Sequence, residues 1–127
     1  MPEKDVLVVD DEADVRDLFA HVLEDSGYSV DVAGTVAEAK RLLDQYRYGV
    51  VVADWRLPDG DGGVIANIAA QVGSCAFVMS GHLTHMLSGN VDARQTIMKP
   101  VRPPELLALV RAAIGGASLA GDSKKSA

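Results

Sequence analysis

The chain has 127 residues, enough for one compact domain with a self-sufficient core and little beyond it. It is 48% hydrophobic and 24% charged, unlike a disordered sequence, and its net charge of −6, from 12 basic and 18 acidic residues, disfavours non-specific binding to nucleic acid. The single cysteine, Cys75, excludes an internal disulfide and a multi-cysteine zinc site and favours a reducing compartment; no segment approaches a membrane span, and the N-terminus lacks the apolar core of a signal peptide.

Val6-Leu7-Val8-Val9 is a continuous apolar run of the kind found in strands covered on both faces, and it ends abruptly in Asp10-Asp11-Glu12. Val15, Leu18, Phe19, Val22 and Leu23 then recur at offsets of three and four, which predicts one face of a helix stopped near Gly27. Tyr28 to Val32 alternates and reads as a short strand. Thr35 and Glu38 have the spacing of a capping box ahead of a helical face of Val36, Ala39, Leu42, Leu43 and Tyr46. Gly49 to Ala53 is a second all-apolar strand ending in Asp54. The loop from Trp55 to Gly62 is dense in turn formers, with Asp59 and Asp61 among them. Val64, Ile65 and Ile68 predict a helix to about Gln71, and Ala76 to Met79 a strand that ends in Ser80-Gly81-His82. Thr96-Ile97-Met98 is a short strand before Lys99-Pro100. Pro103 or Pro104 opens a last helix with a face of Leu106, Leu107, Val110 and Ile114. Residues 1–116 thus read as one domain and residues 117–127 as a flexible tail.

Five alternations of strand and helix argue for a parallel sheet with helices on both faces. Polar groups fall at strand ends: Asp10 and Asp11 after the first strand, Asp54 after the third, Ser80 after the fourth and Lys99 after the fifth. Ligands in such sheets bind beyond the carboxyl ends of the strands. With the order 2-1-3-4-5, which the pattern assumes rather than supplies, Asp10, Asp11 and Asp54 converge. Three carboxylates together repel, and a divalent cation with oxygen ligands relieves them. A carboxylate nucleophile, a metal, the Lys99 cation and the Ser80 hydroxyl are the parts that phosphoryl transfer to a carboxylate requires.

Four motifs carry a resemblance. They are Val8-Val9-Asp10-Asp11-Glu12, Asp54-Trp55-Arg56-Leu57-Pro58 with Gly62 beyond it, Met79-Ser80-Gly81-His82, and Met98-Lys99-Pro100. In this order and at strand ends, they resemble the receiver domain of two-component response regulators from Val6 to about Ile114. The resemblance implies a flavodoxin-like (βα)5 three-layer sandwich with a parallel five-stranded sheet. It implies Asp54 as phosphoacceptor, with magnesium (or manganese) held by Asp11, Asp54 and the main-chain carbonyl of Arg56, and by Asp10 through water. Lys99 would contact the acyl phosphate, Ser80 would move toward it, and Lys99-Pro100 would be cis. Arg56 and His82 would tune phosphate lifetime, although a solvated loop arginine and an exposed loop histidine also account for them. The implied partners are a histidine kinase or histidine phosphotransfer protein and a downstream protein target. Such a chain would be cytoplasmic, a monomer or weak dimer, without direct contact to DNA or membrane. It would not be an enzyme, beyond self-catalysed phosphoryl transfer and slow autodephosphorylation.

The pattern departs from the family in two places. Thr96 stands where an aromatic switch residue is usual, and the segment from Ser80 to Lys99 is a few residues short. Gly89, Asn90, Thr84 and Val91 give that segment poor helix propensity, so the helix between the fourth and fifth strands is expected to be short, shifted or mobile. Two other readings stand beside the receiver. One is a pseudo-receiver that binds partners without taking phosphate, against which the intact Asp10, Asp11, Asp54, Ser80 and Lys99 set speaks. The other is a phosphohydrolase of the haloacid dehalogenase type, which needs an acid where Arg56 stands. Taken alone, Asp10-Asp11 reads as a helix N-cap.

Overall fold

The computed structural model describes residues 2–81 and 96–114. In chain order the elements are β1 (Glu3–Val9), α1 (Ala13–Asp25), β2 (Val30–Ala33), α2 (Val36–Gln45), β3 (Arg47–Asp54), β4 (Arg56–Leu57), β5 (Gly60–Asp61), α3 (Gly62–Gln71), β6 (Cys75–Ser80), β7 (Thr96–Met98) and α4 (Pro103–Ile114). The main sheet has the order β2-β1-β3-β6-β7, with every neighbouring pair parallel. Once the two-residue strands β4 and β5 are set aside, this is the expected 2-1-3-4-5 flavodoxin-like arrangement.

The all-apolar strands occupy the positions that need them. Val6 to Val9 and Val50 to Ala53 have no exposed surface. Because side chains alternate along a strand, each run feeds two cores. Leu7, Val9, Val51 and Ala53 pack with Val36, Leu43, Ile65 and Ala69 of α2 and α3. Val6, Val8, Val50 and Val52 pack with Phe19, Leu23, Leu106 and Val110 of α1 and α4. Burying one such side chain contributes about 1.5–3 kcal/mol, so the double-sided strands supply much of the driving force.

Several boundaries and roles differ from the sequence reading. β3 begins at Arg47, because its edge pairs with Glu3 and Lys4 of β1 before the apolar run starts. Leu18, assigned to the buried face of α1, is 48% exposed, and Val64 of α3 is 41% exposed; each lies at the margin of its helical stripe. The capping box is half-formed. Thr35 Oγ1 accepts from the Glu38 amide at 3.1 Å, but Glu38 Oε1 takes the Gly34 amide at 2.9 Å instead of reaching back to Thr35. Glu12 precedes α1 without a side-chain cap bond, and Asp10 Oδ1 accepts from the Glu12 amide, one residue ahead of the helix, at 2.9 Å.

Asp59 and Asp61 do more than turn the chain. Within the antiparallel β4–β5 pair, Asp61 Oδ1 caps α3 by accepting from Gly63 N at 2.9 Å and Val64 N at 3.3 Å. Asp59 reaches across to α2, accepting from Val36 N at 2.7 Å and Ala37 N at 3.0 Å. Those two amide bonds hold the Asp59 carboxyl below its ordinary value of 3.8. A carboxyl lowered on folding stabilises the native state above its unfolded value, and that contribution disappears as pH falls through the folded value. Asp59→Asn keeps an acceptor oxygen but cannot titrate. Its urea midpoint is therefore expected to fall less steeply than wild type as pH drops below 3.8. Superimposable acid limbs would show that the bond to α2 is not felt in solution.

Candidate functional site

The carboxyl ends of β1, β3, β6 and β7 meet at one edge of the sheet. Asp54 is the last residue of β3, and its register partner is Met79. Main-chain bonds lock this edge. Trp55 N donates to Met79 O at 2.8 Å, Gly62 N to Trp55 O at 2.8 Å, and Lys99 N to Ser80 O at 2.8 Å. The Lys99–Pro100 peptide is cis.

On this frame the predicted residues converge. One carboxylate oxygen each from Asp10, Asp11 and Asp54 lies within 4.8 Å of the others. Lys99 Nζ stands 2.8 Å from Asp54 Oδ1. Asp54 is 6% exposed, Asp10 2% and Ser80 1%, whereas Asp11 and Lys99 are open to solvent. Asp11, Glu12, Asp54, Arg56, Ser80 and Lys99 share the lining of an open cleft of about 320 Å³. Burial pushes the Asp10 carboxyl up from its ordinary value, and repulsion from Asp54 adds to this. The hydrogen bond from the Glu12 amide, at 2.9 Å, and the charge of Lys99 act against the rise.

The donor set fits a hard divalent cation. Three carboxylates supply oxygen ligands without nitrogen or sulfur, and the crowding felt at Asp10 is relieved by positive charge placed among them. Asp10, Asp11 and Asp54 would hold it.

The other predicted residues lie nearby or outside. Arg56 is exposed at the start of β4, on the rim of the cleft. Thr96 is half-buried at the start of β7, opposite Val78 of β6. His82 and the segment expected to form a short helix fall outside the described residues. Sequence reasoning passed over Arg16, which donates from Nη1 to the Asp10 carbonyl at 3.1 Å. It sits between apolar positions of α1, and nothing in its spacing marks it.

The model of the response regulator receiver domain family matches residues 6–111. The chain belongs to that family. Receiver domains are signalling domains of two-component systems, in which phosphorylation and magnesium binding are standard. The chain is 31% identical over 124 residues to an uncharacterized 14.6 kDa protein in the sodA1 3' region of Leptolyngbya boryana, covering 87% of this chain and 90% of that one. It is 28% identical over 121 residues to the phosphate regulon transcriptional regulatory protein PhoB of Pseudomonas aeruginosa, covering 90% of this chain and 53% of PhoB. It thus spans about half the length of that regulator. Among solved structures, a CheY-like receiver domain protein from Methanospirillum hungatei matches with a TM-score of 0.75 and 26% identity, over 89% of this chain and 95% of that one. No helix among the described residues is long and apolar enough to cross a membrane.

Proposed function

We propose that this receiver is a working phosphoacceptor. Asp54 takes a phosphoryl group from a histidine kinase or histidine phosphotransfer protein, and the modified chain changes its contacts with a downstream protein. The observation that carries this reading is the buried Asp54 carboxylate held 2.8 Å from Lys99 and clustered with Asp10 and Asp11 at an open cleft. A pseudo-receiver would have no need of that costly concentration of charge.

In the proposed step an ionised Asp54 oxygen attacks the phosphorus of a phosphohistidine. The new P–O bond forms as the N–P bond breaks, and the electron pair stays on the imidazole nitrogen. No proton has to leave Asp54. The Lys99 ammonium moves from its carboxylate partner to a phosphoryl oxygen, and the Ser80 hydroxyl donates to another. A bound magnesium, or manganese in its place, would supply positive charge for the phosphoryl oxygens. Asp11, Asp54 and the Arg56 carbonyl would hold it, with Asp10 acting through water. Arg56 and His82 would set the lifetime of the acyl phosphate. Thr96 has no ring to bury, so the readout would proceed without an aromatic switch. The receiver would occupy residues 1–116, with 117–127 as a tail, and would act in the cytoplasm as a monomer or weak dimer. Its charge of −6 supports a protein partner rather than DNA.

The test is incubation with acetyl phosphate and magnesium followed by intact-mass measurement. Wild type is expected to gain one phosphoryl group, lose the gain when magnesium is chelated, and show none in Asp54→Asn. An unmodified wild type would favour the binding-only receiver, and an equal adduct on Asp54→Asn would move the acceptor elsewhere. Sustained turnover of a free phosphomonoester would revive the phosphohydrolase.

A further inference from the structure

The turn that delivers Asp10 and Asp11 is fastened from three directions. The Asp10 amide donates to Ala33 O of β2 at 3.0 Å. Its carboxylate Oδ1 accepts from the Glu12 amide at 2.9 Å. Its carbonyl accepts from Arg16 Nη1 at 3.1 Å. Arg16 lies one helical turn beyond Glu12, and helical side chains lean toward the N-terminus, which brings the guanidinium back over the turn. It is wedged there. A Cβ on Gly34, in the β2–α2 connection, would stand 2.8 Å from Nη1, so only a glycine leaves the guanidinium its place. Arg16 Nε is buried without a hydrogen-bond partner among the described residues. A buried, unpaired donor on a cation is unfavourable in itself, so the contact to Asp10 is made against a penalty.

We propose that Arg16 is a positioning residue for the cation site. It holds the Asp10 main chain so that the Asp10 and Asp11 carboxylates stay close to Asp54. This inference rests on the proposed reading of that cluster as a magnesium site. Two effects of Arg16 oppose each other. Its charge repels a cation, whereas its bond pre-organises the ligands. The bond fixes the turn carrying both carboxylates, whereas the repulsion is that of one guanidinium lying behind them, so positioning dominates. Partners that orient ligands from behind typically alter metal affinity 10–100-fold.

Trp55, the only tryptophan of the chain, lines the cleft and provides the signal. The experiment is a magnesium titration of Trp55 fluorescence in wild type, Arg16→Ala, Arg16→Lys, Gly34→Ala and the Arg16→Ala/Gly34→Ala double variant, with Asp11→Asn as control. Urea midpoints in chelator are measured alongside. Arg16→Ala is expected to weaken magnesium binding about tenfold. Arg16→Lys, which keeps a donor on a long stem, should weaken it less. Gly34→Ala displaces the guanidinium without removing it and should weaken binding in the same direction. The double variant should be no weaker than Arg16→Ala, because both changes break one contact. If Arg16→Ala is too unstable to titrate, Gly34→Ala against wild type decides the matter. A wild type that responds to magnesium while Arg16→Ala or Gly34→Ala binds equally or more tightly overturns the inference alone, as does a double variant whose loss is the product of the two single losses. A wild type as unresponsive as Asp11→Asn overturns the metal-site reading and the inference together.

Discussion

Lys99→Met is expected to slow phosphoryl loading from acetyl phosphate about a hundredfold, while tightening magnesium binding. The two effects have opposite signs because Lys99 faces two different charges. In the resting protein its ammonium sits 2.8 Å from Asp54 Oδ1, on a carboxylate that the proposed metal would also use. Removing it lowers the repulsion felt by an incoming cation. In the proposed transfer the same ammonium would meet the charge that builds on phosphoryl oxygens, and among the described residues no other cation pairs with Asp54. The stability change should be smaller than for a sealed ion pair. The Asp54 side chain is 8% exposed but that of Lys99 is 40% exposed, so water already screens the interaction. The main chain should survive, since Lys99 N stays bonded to Ser80 O. Adduct formation followed by intact mass gives the rate, and Trp55 fluorescence gives the affinity. An unchanged rate with tighter magnesium binding would reduce Lys99 to a resting counter-ion. Together with Arg16→Ala, which should loosen magnesium, the pair separates a cation that competes with the metal from one that arranges its ligands.

What the sequence reveals about this site depends on whether a residue acts through its place in a pattern or through a contact across the fold. Asp10, Asp11, Asp54, Ser80 and Lys99 terminate apolar strands, so their common edge follows once a parallel sheet is inferred. The order that places β1 beside β3 is not in the periodicity, which treats each strand alone; the resemblance supplied it. Arg16, Asp59 and Glu38 act otherwise. Asp59 stands in a loop rich in turn formers and reads as one, yet it caps a helix 22 and 23 residues earlier in the chain. Glu38 has the spacing of a capping box and sends its carboxylate one residue further out, to Gly34. Leu18 fits a helical stripe by its offset and is still 48% exposed. Local spacing carries the elements and the chemistry at their ends; it does not carry how neighbouring loops hold one another.

Gly62 shows the same division in one residue and carries the largest expected stability effect. The motif marks the position as glycine, but only its surroundings give the reason. A Cβ there would lie 2.3 Å from Asp54 O, 3.0 Å from Asp54 C and 3.2 Å from Ala53 Cβ. The first two are main-chain atoms of the strand that ends in Asp54, so no rotamer change relieves the clash. Either α3 withdraws from β3, exposing Ile65 and Ala66, or the Asp54 peptide turns away from the cleft. The first course opens the core, and the second misplaces the carboxylate proposed to accept phosphate. Overpacking of this kind costs about 3 kcal/mol. That is a large share of the roughly 5–15 kcal/mol that keeps a domain folded. Gly62→Ala is therefore expected to lower the urea midpoint sharply and, in the fraction that folds, to depress phosphoryl loading. Gly81→Ala serves as control. It lies in the same cleft with nothing among the described residues within 4 Å of its added Cβ, so its stability should stay within about 0.5 kcal/mol of wild type. If the two variants prove equally stable, the close approach of α3 to the Asp54 carbonyl is not what fixes the Asp54 carboxylate. If Gly62→Ala alone fails, the start of α3 and the orientation of Asp54 are one constraint, enforced by the absence of a single side chain.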